Sequence, residues 1–139
     1  TAGIYLYADY SNISNNNCSN NYEGISLWFS NNNIISNNNC SLNYYNGICL
    51  WFSNNNSISN NRCSSNNRGI YLGYSNNNGV SNNAGGIELS RSNNNKLTGN
   101  TMLEKGIKIW GASLNHYTHE IDESNTVNGK PVYYWIHVQ

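Results

Sequence analysis

The sequence predicts an all-β chain wound as a right-handed parallel β-helix of about six coils, each near 22 residues, with an irregular C-terminal segment. Three observations predict it: a recurring Gly-Ile-x-Leu tetrapeptide, strand-like alternation at each copy, and asparagine clusters between copies. Asparagine supplies roughly a quarter of the 139 residues, against a few per cent in ordinary chains. Asn-rich tracts usually signal disorder. Disorder would not keep a period.

The tetrapeptide begins at Gly3, Gly24, Gly47, Gly69 and Gly86, and Gly106-Ile107-Lys108-Ile109 is a variant. Successive spacings are 21, 23, 22, 17 and 20 residues. That period is too short for paired-helix repeats of about 33 to 45 residues, and no coil holds an amphipathic helical stretch. A β-solenoid remains. In the coil from Gly24 to Asn46, Ile25, Leu27 and Phe29 alternate with Ser26 and Trp28, the period of a half-buried strand. Ser30-Asn31-Asn32-Asn33 then forms a turn, because Asn tolerates left-handed backbone. A short strand follows around Ile35, then a second Asn turn, then a third strand at Cys40. The parallel crossover preference sets the right hand.

Stacking at about 4.8 Å per coil places equivalent side chains above one another. The interior becomes columns of Ile, Leu, Phe and Cys, with Cys18, Cys40 and Cys63 in one column continued by Met102. Asn38, Asn61, Asn83 and Asn100 form one amide ladder, and Asn33, Asn56, Asn78 and Asn95 a second. Such ladders satisfy groups that a turn would otherwise strand. The fourth coil, Gly69 to Gly85, is short by about five residues. The deletion is expected in its third strand, with a dent there and a tight corner at Ala84-Gly85-Gly86.

The coils are expected to occupy residues 1–112, and 113–139 to form a C-terminal cap or pairing segment. That segment holds the single proline, Pro131, and the β-forming run Val132, Tyr133, Tyr134, Trp135, Ile136, continued by His137 and Val138. The first coil is expected to be uncapped, so this run is expected to pair with a neighbouring subunit, adding strands at an open edge. Head-to-tail contacts of that kind build fibres.

Composition narrows the function. Formal net charge is zero and 10% of residues are charged, well under the roughly 25% usual for globular chains. Nothing basic enough to attract nucleic acid is present, and no apolar run reaches the ~20 residues of a membrane span. The acids Asp9, Glu23, Glu88, Glu104, Glu120, Asp122 and Glu123 never occupy equivalent places on adjacent coils, whereas acid–base work or calcium binding needs them clustered. No enzyme and no cofactor are expected.

The pattern G-I-x-L-x-x-S-x-N-N-x-I-x-x-N resembles the repeats of NosD-like parallel β-helix proteins over residues 3 to about 105. The segment Asn125-Thr126-Val127-Asn128-Gly129-Lys130-Pro131-Val132-Tyr133-Tyr134 resembles one that closes β-helix blocks in archaeal cell-surface proteins. The resemblance implies an extracellular or cell-surface protein, and NosD-like proteins are associated with copper delivery. A soft metal would want convergent Cys, Met or His. The Cys column reads instead as a continuation of the apolar core, with a disulfide or a metal as alternatives. His116-x-x-His119 and His137 lie in the tail without Cys partners.

Alternation aims Tyr5, Tyr7, Trp28, Trp51, Tyr71 and Trp110 outward on the first sheet. Such a stripe suits sugar stacking, a second subunit, or cover by another segment of the chain. Cys49, between Ile48 and Leu50, is also aimed outward, as an exposed thiol fit for an intermolecular disulfide or as a tolerated surface residue. Among the sequons at Asn12, Asn17, Asn39 and Asn55, the turn residue Asn55 is the best glycosylation candidate. The leading expectation is a non-enzymatic structural protein of a surface assembly that packs with copies of itself. A carbohydrate-binding module on the aromatic stripe is the alternative, and copper handling a weaker one.

Overall fold

A computed structural model describes residues 1–136; His137, and with it the end of the β-forming run, lies outside the described residues. The repeat becomes three walls. The first is a six-stranded parallel sheet of Ala2–Leu6, Glu23–Trp28, Asn46–Trp51, Arg68–Gly73, Ile87–Ser90 and Ile107–Trp110 in sequence order. The second stacks Asn12–Ser14, Ile34–Ser36, Ser57–Ser59, Gly79–Ser81, Lys96–Thr98 and Glu120–Ile121. The third is a line of single bridges, Asn17 to Asn39 to Arg62 to Ala84 to Thr101, continued where Thr101–Met102 pairs with Thr126–Val127.

Register follows the apolar columns. Ile25, Ile48, Ile70, Ile87 and Ile107 lie in line, as do Leu27, Leu50, Leu72, Leu89 and Ile109. The second wall contributes Ile13, Ile35, Ile58, Val80, Leu97 and Ile121. Every member from Ile25 to Leu97 is at most 1% exposed. Burying each such side chain contributes about 1.5–3 kcal/mol. The repeat begins with glycine for a local reason: a Cβ on Gly47 would lie 2.6 Å from both Asn66 Nδ2 and the Gly69 carbonyl oxygen.

Both amide ladders form, and longer than the sequence suggests. Asn38 donates its backbone N–H and its Nδ2 to Asn61 Oδ1, Asn61 does the same to Asn83, Asn83 to Asn100, and Asn100 to Asn125. Each Nδ2 also reaches a backbone carbonyl in the preceding coil, as from Asn61 to Ile35. The second ladder runs Asn33, Asn56, Asn78, Asn95 and ends on His119, whose Nδ1 accepts from the Asn95 N–H at 3.3 Å. Serines Ser30, Ser53, Ser75 and Ser92 make a third file. The left-handed corner positions are mostly asparagine, for example Asn37, Asn60 and Asn82 at φ 53–56°.

Four expectations change. Phe29 and Phe52 are not in the core: each takes φ near 50° just after its strand, which turns the ring out. The fourth coil keeps its place in the third wall, at Ala84, and lacks the corner that follows it. The last coil runs on past position 112, since Glu120–Ile121 and Thr126–Val127 extend the second and third walls. The run 132–136 is not a strand: Val132 and Tyr134 pack on the chain's own core, and Tyr134 donates its hydroxyl to the Tyr117 carbonyl. An apolar column ending at Ile121 and Val127 needs cover, and alternate residues of this run supply it. Tyr133 and Trp135 remain exposed.

Candidate functional site: an aromatic edge

Two files of rings run along the solenoid beside the first wall. In one, Phe29 stacks on Phe52 at 5.1 Å with 3° between planes, and Phe52 on Tyr74 at 4.8 Å and 14°. Tyr7 tilts onto Phe29 at one end, and the Arg91 guanidinium sits 5.5 Å over Tyr74 at the other. These rings leave the strands at residues with positive φ, Phe29, Phe52, Tyr74 and Arg91. In the second file Trp28 meets Trp51 at 5.8 Å, and Trp51 stacks on Tyr71 at 5.7 Å. The coil after Trp51 has Gly73 at that place, where a Cβ would lie 2.5 Å from the indole. Missing bulk there is what lets Trp51 lean along the wall.

Of the expected stripe, Tyr5, Tyr7, Trp28 and Trp110 are exposed and Trp51 is half-buried. Tyr71 is a correction, at 5% exposure. It points outward but lies between Trp51 and the Arg68 guanidinium, 4.7 Å over its ring. Arg68 in turn pairs with Glu88 at 2.9 Å and donates to the Tyr45 hydroxyl. Glu88 accepts from Trp110 Nε1 at 3.0 Å. Sequence reasoning missed this charged cluster because its members come from four coils with different residue types.

Cys49 is a second correction. It is aimed outward between Ser26 and Tyr71 but is 5% exposed. Burial, with the Glu23 carboxylate beside it, pushes its thiol well above the usual range. It is neither an exposed thiol nor placed for an intermolecular disulfide. The column Cys18, Cys40, Cys63 is buried as expected, and all four cysteines are free. Burial holds the Cys63 thiol up, and pushes Cys18 up to about 11. Asn55 is exposed at its turn, and so are Asn12, Asn17 and Asn39.

The geometry defines a parallel β-solenoid with an aromatic edge. A family profile described as "Periplasmic copper-binding protein (NosD)" matches residues 1–133, and the chain belongs to that family. No curated protein matches the chain. No solved structure matches it either.

Copper has to be tested against the donors present. Among the described residues no three His, Cys, Asp or Glu side chains stand together as ligands. His116 Nδ1 accepts from the Ala112 N–H, and both ring nitrogens of His119 are engaged, one by Asn95 and one by the His116 carbonyl. The Cys column is buried within the apolar core, where a thiol behaves as a small hydrophobe rather than an accessible ligand. These residues do not fit a copper site.

Proposed function

We propose that the chain is a non-enzymatic structural solenoid of the cell envelope that associates laterally with copies of itself through the aromatic edge. One observation carries this reading. Along the middle of the files Phe29, Phe52 and Tyr74 stack on one another and Trp51 on Tyr71, so there the ring faces are taken up by neighbouring rings and the edges are left to meet the solvent. Sugar stacking needs an open face, whereas a second protein surface packs well against edges. An apolar stripe along one side of a rod is self-complementary about a two-fold axis. Lateral pairing is then the first contact of a sheath or coat.

The acids support a structural role. Glu23 holds Asn46, Glu88 holds Arg68, Glu120 pairs with Lys96, and Asp9 accepts from the Asn31 N–H. These four have architectural partners, which leaves them poorly placed as a general acid–base pair. For location, the family is described as periplasmic. No helix among the described residues is long and apolar enough to cross a membrane. A surface or extracellular position fits both.

Sedimentation equilibrium tests the association. The wild type should gain mass with concentration. The double variant Phe29→Lys/Phe52→Lys, with unchanged circular dichroism, should stay at the monomer mass. A wild type that remains monomeric into the millimolar range, or a variant that associates equally well, would refute the proposal.

A further inference from the structure

The short fourth coil interrupts the solenoid at one corner. Its chain passes from Ala84 through Gly85 straight to Gly86, omitting the equivalents of Ser64 to Arg68 in the coil before. Gly85 makes this short cut possible: its φ is +139°, and a Cβ there would lie 2.4 Å from the Cys63 carbonyl oxygen. The missing corner leaves the backbones on either side roughly two strand spacings apart, ~9–10 Å. The space between them is about one strand thick.

The omission strands hydrogen-bonding groups on the preceding coil. At this corner Asn21 donates its backbone N–H to Asn43 Oδ1, and Asn43 donates to Asn66 Oδ1 at 2.6 Å. The next residue of that ladder does not exist, so the Asn66 N–H is directed into the gap without a partner among the described residues. On the carbonyl side, Arg68 N–H reaches Tyr45 and Tyr45 N–H reaches Tyr22. The corresponding donors of the fourth coil are absent. Lys105, from the coil beyond, crosses the gap instead, and its Nζ donates to Asn67 O at 2.7 Å and to Asn66 O at 3.4 Å. An ammonium carries three donors, so one remains. The cavity is about 350 Å³, with Ser64, Thr101, Glu104 and Lys105 in its lining.

We propose that this notch binds one neutral pyranose unit of a saccharide. A pyranose chair is about as thick as the missing strand, ~5 Å, and the volume falls at the small end of ligand sites, ~300–1,000 Å³. The lining offers open donors at Asn66 N–H and Lys105, an acceptor at Glu104, a hydroxyl at Thr101 that does both, and a Ser64 hydroxyl already shared with Ser41 Oγ and accepting from Arg62 Nε. Hydroxyl groups, which donate and accept, match that mixture. Lys105 and Glu104 offset each other in charge, so neutral rings are favoured over acidic ones. Leu103, 74% exposed at the rim, gives an apolar contact for ring C–H groups.

The test is amide NMR on the full chain, titrated with glucose, galactose, N-acetylglucosamine and glucuronate. A neutral sugar should shift the amides of residues 64–68 and 101–105 and leave the aromatic edge unmoved. Lys105→Met should weaken binding about tenfold, the effect of one hydrogen bond. Inserting Ser-Ser-Asn-Asn-Arg between Gly85 and Gly86 rebuilds the corner and should abolish binding, while unchanged amides at Ile25, Leu27 and Ile35 report an intact fold. Silence with all four sugars, shifts centred on Trp28 and Phe52, tighter binding of glucuronate, or undiminished binding by the insertion variant would each overturn the proposal. None of these outcomes depends on self-association.

Discussion

At the scale of single residues, the buried amides carry the most specific energetics. Asn61 accepts from Asn38 and donates to Ile35 O and Asn83 Oδ1 inside the corner. Removing it strands several polar groups away from water, each costing about 1–3 kcal/mol. Asn61→Ala should therefore lose about 2–4 kcal/mol in denaturant unfolding, more than an exposed Asn such as Asn55. His119 ends the second ladder in the role an Asn plays elsewhere. Burial lowers its pKa from the ordinary 6.5, against the opposing pull of the hydrogen bond to the His116 carbonyl. Its stabilising contribution is present in full above pH 6.5 and is withdrawn as pH falls from there toward the depressed value. Melting temperature should drop over that window in the wild type and stay flatter in His119→Asn, which keeps an acceptor for Asn95. A variant with the same pH slope would discount this role. Alternation told which side of the wall Cys49 and Tyr71 face, but not how deeply they lie. Depth depends on neighbours such as Arg68, drawn from another coil. All four thiols should resist alkylation at neutral pH until the protein unfolds; prompt labelling of Cys49 in the native state would contradict its burial.

At the scale of elements, the first wall is the part most legible in the sequence, because Ile-x-Leu repeats at a spacing that stacks it on itself. Leu50 lies in a middle coil at 0% exposure, so Leu50→Ala should cost about 2–5 kcal/mol. Gly47→Ala should cost about 1–3 kcal/mol by overpacking against Asn66 and the Gly69 carbonyl. Chemical denaturation measures both, and a neutral Gly47→Ala would mean the coils can part without penalty. Phe29 and Phe52 escaped the alternation because the strand ends one residue before them and a left-handed residue reverses the side. Nothing in a period-two pattern marks that end. The β-branched and aromatic content of the tail predicts a strand. Its alternate residues Val132 and Tyr134 instead close the core of their own chain, a use that composition does not distinguish from pairing.

At the scale of the whole molecule, the solenoid is a stiff rod held by apolar columns within and amide ladders at the corners. Two irregular features lie on it: the notch of the fourth coil and the aromatic edge. The notch was legible as a spacing of 17 residues. Its polar lining was not, because it depends on Lys105 reaching across from a later coil. The edge was half legible: the indoles were, the phenylalanines and Tyr74 were not. The proposed lateral association sets this edge against the same edge on another copy, and a photoreactive benzophenone side chain at position 52 tests it directly. Irradiation of concentrated protein should give a covalent dimer whose cross-link maps to residues 7, 28, 29, 51, 52 or 74 of the second copy. Cross-links confined to residues 132–136, or no dimer at any concentration, would contradict the account.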